Sequence, residues 1–136
     1  MRFGACGWDA DEVCLRLLIV DDNERFLELA RSSLEREGFE VVGTARTGAE
    51  AVRRAADVRP DVVLVDISLG GESGFDVARS LAETSGFQAR VLLISTRSEA
   101  DFHDLIEASP AIGFLSKSEL SAGAIHALVR RAAEEP

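Results

Sequence analysis

Lysine is nearly absent from this chain: of its 15 basic residues 14 are arginine, and the one lysine is Lys117. Positive charge is scarce overall, since 24 acidic residues leave a formal net charge of −9. That balance argues against nucleic acid or an anionic membrane surface as the main partner. Cysteine is confined to Cys6 and Cys14, with seven residues between them. Two thiols complete neither a zinc quartet nor a disulfide framework, so both read as free thiols of an intracellular, cytoplasmic protein. No apolar run approaches the roughly 18 residues of a membrane span. The N-terminal MRFGACGWDADEVC lacks an apolar stretch and carries Asp9, Asp11 and Glu12, which argues against a secretory signal. P-loop, dinucleotide and G-x-S-x-G motifs are missing too, which removes the usual α/β enzyme classes. What is present is 136 residues, 46% hydrophobic and 29% charged, the size and balance of one globular domain.

Residues 1–14 show no period and read as a loose N-terminal extension to a domain spanning 15–134. From Leu15 onward the pattern alternates. LRLLIV (15–20) is a short apolar run suited to a buried strand, and Phe26, Leu27, Ala30 and Leu34 then recur at helical spacing until Gly38. FEVVGT (39–44) is the second strand, and Thr47 can cap a helix that Pro60 ends. DVVLVD (61–66), the most uniformly apolar, is expected at the centre of the sheet. The loop ISLGGES precedes a helix with Val77, Ala78 and Leu81, and ARVLLIS (89–95) is strand four. Phe102, Leu105 and Ile106 mark a fourth helix, and IGFLS (112–116) is strand five. A last helix is expected to start near Ser118, which would cap it. Five strand–helix units in alternation predict an α/β domain, a mainly parallel sheet with helices on both faces. Only Glu134, Glu135 and Pro136 follow the last helix, so the domain is expected to stand alone.

Ligands of such sheets bind beyond the carboxyl ends of the strands. There the sequence puts Asp21 and Asp22 after strand one, Asp66 at the end of strand three, Ser95 and Thr96 after strand four, and Lys117 after strand five. Three carboxylates in one cleft raise each other's pKa, and an oxygen-preferring divalent cation, Mg²⁺, resolves the conflict. A hydroxyl and an ammonium beside that cation suit a phosphoryl group, whose transition state spreads charge over its equatorial oxygens. A carboxylate can itself be the covalent acceptor, and Asp66 on the central strand is best placed for it.

LLIVDDNE, VVLVDISLGGESG, LLIST and GFLSKSEL, in this order and each at a strand end, resemble the signatures of a response-regulator receiver domain of two-component signalling. The resemblance runs from Leu15 to about Ala133. It implies a flavodoxin-like doubly wound (βα)5 fold with a five-stranded parallel sheet in the order 2-1-3-4-5. It also implies that Asp66 is the phosphoacceptor and that Asp22 binds Mg²⁺ directly, with Asp21 doing so through water and the backbone carbonyl of Ser68 completing the protein ligands. Ser95 matches the switch hydroxyl, with Thr96 beside it. Lys117 matches the family lysine, Phe114 the aromatic that swings inward, and Gly74 the glycine after the acceptor loop. The implied partners are a histidine kinase or phosphotransfer protein and a downstream protein effector, with no direct nucleic acid or membrane contact and with a homodimer left open. The only chemistry implied is the domain's own Mg²⁺-dependent phosphorylation and dephosphorylation.

Three positions depart from the pattern. Gly70, followed by Gly71, stands where receivers carry proline, and two glycines are expected to loosen the loop. Thr96 is bulkier than the usual alanine or glycine and should hinder access to the acceptor. Ser118 replaces the proline that follows the lysine through a cis bond, a geometry costing a non-proline residue about 3–4 kcal/mol.

Taken singly, these residues have plainer readings: Asp21 and Asp22 as caps of helix one, Ser95 and Thr96 as turn residues, Phe114 as core. His103 and His126 have no acids or cysteines at metal-ligand spacing and read as solvated or packing residues. Three rivals follow from the same residues. One is a receiver-like interaction module not switched by phosphorylation. Another is the amino-terminal receiver of a longer DNA-binding regulator. The third, an Asp-nucleophile phosphohydrolase, would need a DxD motif after strand one, where this chain has Asp21-Asp22-Asn23.

Overall fold

The computed structural model describes residues 15–134, and the extension read at 1–14 lies outside the described residues. Five parallel strands form the main sheet: β1 (Arg16–Val20), β2 (Glu40–Ala45), β3 (Val62–Asp66), β4 (Arg90–Ser95) and β5 (Gly113–Ser116). Their order is β2-β1-β3-β4-β5, so the uniformly apolar VVLVD strand is central, as its composition requires. The helices are α1 (Glu24–Arg36), α2 (Gly48–Val58), α3 (Gly74–Glu83), α4 (His103–Ala108) and α5 (Ala122–Glu134). This is the doubly wound (βα)5 arrangement expected from the sequence.

Alternation along each strand builds two cores. Leu18, Val20, Val63, Val65, Val91 and Leu93 face one way and meet Ala51 and Ala55 of α2 and Val77, Ala78 and Leu81 of α3. Leu17, Ile19, Leu64, Leu92 and Ile94 face the other way, against Leu27, Ala30 and Leu34 of α1 and Ile125 of α5. The period-2 pattern is thus buried on both faces, which explains why β3 shows no polar alternation.

Local chemistry sets the boundaries. Asn23 Oδ1 accepts from the Phe26 amide and caps α1, and Thr47 Oγ1 accepts from Glu50 and caps α2. Arg59 closes α2 in the left-handed region at φ 48°, just before Pro60. Glu37, after α1, accepts from the Ala122 amide at 2.5 Å and ties α1 to the first turn of α5.

Two expectations are corrected. Ser118 does not cap α5: residues Lys117–Glu119 form a 3₁₀ turn in which Ser116 Oγ accepts from the Ser118 amide. The helix starts later, with Ser121 Oγ accepting from Ala124. The reason is that the chain must first turn Lys117 into the sheet edge. Likewise Phe102 falls in a 3₁₀ turn (Glu99–Phe102), and α4 is only six residues long with none buried. No cis peptide occurs among the described residues, so Lys117–Ser118 is trans.

Candidate functional site

The carboxyl edge of β1, β3 and β5 brings the acids and the lysine together. Asp21 leaves β1 fully buried, its amide held by the Ala45 carbonyl and its Oδ1 accepting from the Asn23 amide. Because Asn23 caps α1, neither aspartate is consumed by the helix, and Asp22 is exposed beside its buried neighbour. Asp66 ends β3 buried, with Oδ1 accepting from the Ser68 amide at 3.0 Å. One carboxylate oxygen from each of Asp21, Asp22 and Asp66 lies within 4.8 Å of the others.

Lys117 reaches into this cluster from the turn after β5. Its Nζ donates to Asp66 Oδ2 at 3.0 Å and lies 2.5 Å from Asp21 Oδ2. The second contact is a buried ion pair, and it ties the ammonium to β1 as well as to β3. The ammonium also sits 4.2 Å from the ring centroid of Phe26 on α1, a cation–π contact. Burial raises the Asp21 pKa above 3.8, and the repulsion from Asp66 adds to it, against the pull of Lys117 and the Asn23 amide. Burial works to lower the Lys117 pKa, but its two carboxylate partners outweigh it and the net shift is upward.

The other expected residues occupy the same edge in different roles. Ser95 is buried at the end of β4, its Oγ accepting from the Arg97 amide in a local turn, while Thr96 is exposed. Phe114 is buried in the core with Phe75 and Leu93, its ring turned inward. The double glycine is not an open loop. Ser68–Leu69 pairs with Glu72–Ser73 as an antiparallel hairpin, and Gly70, at φ 63°, begins its two-residue turn. A Cβ on Gly74 would stand 2.0 Å from the Asp66 carbonyl oxygen, so only glycine fits where α3 starts against the end of β3.

Two contributors escaped the sequence reading. Phe26 read simply as part of the apolar stripe of α1. Glu72, which read as a loop residue, accepts from the Gly48 amide at the start of α2. A cavity of about 760 Å³ opens at the opposite edge of the sheet near Leu15, Asp61 and Arg90, away from Asp21, Asp22 and Asp66. No helix among the described residues is long and apolar enough to cross a membrane.

With this geometry in hand, the likeness to known proteins is specific. Residues 17–130 match the response regulator receiver domain. The chain is 30% identical over 108 residues to response regulator GacA of Pseudomonas viridiflava, covering 76% of this chain and 48% of that one. It is 38% identical over 84 residues to the transcriptional regulatory protein KdpE of Mycobacterium tuberculosis, covering 62% and 36%. A solved two-component response regulator of the LuxR family from Aurantimonas sp. SI85-9A1 superposes with a TM-score of 0.77 at 28% identity, covering 88% of this chain and 87% of that one. The chain spans half or less of the length of the curated relatives first matched. A family match along nearly the whole sheet, joined to an acid–lysine cluster at its carboxyl edge, establishes that this chain belongs to the response regulator receiver domain family.

Proposed function

We propose that Asp66 accepts a phosphoryl group from a histidine kinase or phosphotransfer protein in the cytoplasm and that the resulting acyl phosphate switches a protein-binding face. An Asp66 carboxylate oxygen bonds to phosphorus as the phosphorus–nitrogen bond of the donor histidine breaks, and the freed imidazole keeps the electron pair and takes up a proton. The observation that carries the reading is the convergence of Asp21, Asp22, Asp66 and the chain's single lysine on one sheet edge.

The donor set fits a hard divalent cation. It consists of oxygens alone, three of them from carboxylates gathered within 4.8 Å of one another. Asp21, Asp22 and Asp66 would hold Mg²⁺ together with the Ser68 carbonyl. When bound, Mg²⁺ neutralises carboxylate and phosphoryl charge. Lys117 steers a phosphoryl oxygen with its ammonium, and Ser95, whose oxygen accepts from the Arg97 amide, has its O–H to donate to another. Ser95 and Phe114 then bias the α4–β5–α5 face by a population shift. The net charge of −9 favours a protein partner over DNA for this face.

The test is to incubate the chain with a small phosphodonor and Mg²⁺ and measure intact mass. One phosphoryl adduct is expected on the native chain and none on Asp66→Asn. No adduct on the native chain, or one on the variant, overturns the reading. A second reading is the receiver part of a longer transcriptional regulator, favoured by the length of the curated relatives. It changes the partner and leaves the site chemistry as described.

A further inference from the structure

The hairpin after Asp66 is closed at its base and clamped at its far arm. At the base, Gly74 donates to the Ile67 carbonyl at 2.6 Å, and α3 sits so close that no Cβ fits on Gly74. At the far arm, Glu72 Oε1 accepts from the Gly48 amide at 2.8 Å, a contact between residues 24 apart in sequence. Gly48 is the first residue of α2, and its lack of a side chain makes the contact possible. A Cβ there would stand 2.5 Å from Glu72 Oε2 and 2.8 Å from Val77 Cγ2. A carboxylate at a helix N-terminus is electrostatically favoured as well. Between base and clamp the chain turns through Gly70 and Gly71, the two residues with most backbone freedom. The near arm of that hairpin begins with Ser68, whose amide holds Asp66 Oδ1.

We infer that Glu72 is a positioning residue for the acidic site. Its hydrogen bond to Gly48 fixes the hairpin that presents Ser68 to Asp66 and to the cation, supplying from α2 the order that Gly70 and Gly71 cannot supply locally. The inference rests on the proposed Mg²⁺ site. Glu72 itself is exposed and is not one of the three carboxylates that converge on the site. It acts through the register of Ser68 with Ser73 and of Leu69 with Glu72.

The experiment compares the full chain with Glu72→Ala and Glu72→Gln. Mg²⁺ affinity is measured by calorimetry, and hydrogen exchange of the Ser68–Ser73 amides by NMR in chelator. Glu72→Ala is expected to weaken Mg²⁺ binding by about fivefold and to speed hairpin exchange by about tenfold, each roughly 1 to 1.4 kcal/mol for one lost hydrogen bond. Glu72→Gln keeps the acceptor oxygen and should stay within about twofold of the native chain in both readouts. Glu72→Ala indistinguishable from the native chain overturns the inference. So does Glu72→Gln failing as badly as alanine, because the effect would then be net charge near a cation site and not the clamp. Gly48→Ala, which displaces Glu72 sterically, gives an independent arm and should match Glu72→Ala in hairpin exchange. If the native chain binds no Mg²⁺ at all, the proposed site fails. The exchange readout in chelator then still decides whether the clamp exists.

Discussion

Lys117 Nζ stands 3.0 Å from Asp66 Oδ2, joining the last strand of the sheet to the central one across 51 positions of sequence. The same ammonium meets buried Asp21 and rests on the face of Phe26. It is held on three sides by groups that suit a compact point charge better than a broad guanidinium.

Replacing Lys117 is therefore expected to separate charge from shape. Lys117→Arg keeps the charge but has no room for a planar fork, and phosphoryl uptake should fall by about tenfold, equivalent to about 1.4 kcal/mol in the transition state. Lys117→Met leaves two buried carboxylates without their cation and should cost on the order of 3 kcal/mol in metal-free buffer. Urea unfolding with and without Mg²⁺ checks this, since a divalent cation should recover much of the loss.

Stability of the metal-free protein should depend on pH through Asp21 and Lys117. The Asp21 pKa is raised by burial, so the folded state holds that proton more tightly than the unfolded chain does. As pH climbs from the unfolded value of 3.8 through the raised folded value, the unfolded chain ionises first and this contribution lowers stability. Lys117 has the same sign in a higher pH window. Its raised pKa stabilises fully below the unfolded value of 10.5, and that contribution is lost as pH rises through the folded value. Asp21→Asn should flatten the acid-side slope in chelator and weaken Mg²⁺ binding, measured by urea midpoints across pH and by calorimetry.

Gly74→Ala is expected to be severe. The new Cβ would fall 2.0 Å from a backbone oxygen of β3, where neither partner can rotate away. Destabilisation of about 3 kcal/mol is expected, at the upper end for overpacking, with loss of phosphoryl uptake because the displaced carbonyl belongs to Asp66. Urea unfolding and intact mass check both.

Gly70→Pro tests the departure from the family pattern directly. Proline fixes φ near −65°, and Gly70 stands at 63°, so restoring the family residue should destabilise this chain by more than about 1 kcal/mol. An unchanged urea midpoint would show that the hairpin can be rebuilt around proline.

Thr96→Ala opens the acceptor. Thr96 is exposed just after β4, while Ser95 beside it is buried. Removing its bulk should speed both phosphoryl uptake and hydrolysis of the acyl phosphate severalfold, read as the decay of the adduct by mass.

The sheet and the acidic edge were legible because they depend on local patterns. Apolar runs ending in Asp21, Asp66, Ser95 and, through a short turn, Lys117 mark strand ends without knowledge of any contact. What stayed hidden depends on pairs distant in sequence. Glu72 meets Gly48 only because α2 and α3 pack side by side, and Glu37 reaches Ala122 only because α1 and α5 share a sheet face. Phe26 follows the helical stripe one position before buried Leu27, so periodicity gave it no separate signal. Ser118 misled for a similar reason. A serine after a strand reads as a cap, and only the demand that Lys117 point into the edge delays α5 to Ala122.

The lone ammonium has a consequence in charge count. Three carboxylates and one lysine leave the cluster with an excess of two negative charges when all are ionised, which one divalent cation cancels. Converting the Asp66 carboxylate into an acyl phosphate dianion then adds about one further negative charge. The chain has no second lysine to meet it. Part of the surplus then falls on neutral donors, the hydroxyl of Ser95 foremost, whose O–H is left to donate while its oxygen accepts from the Arg97 amide. An edge with a single lysine thus shares an added charge between one ammonium and uncharged hydroxyl and amide donors.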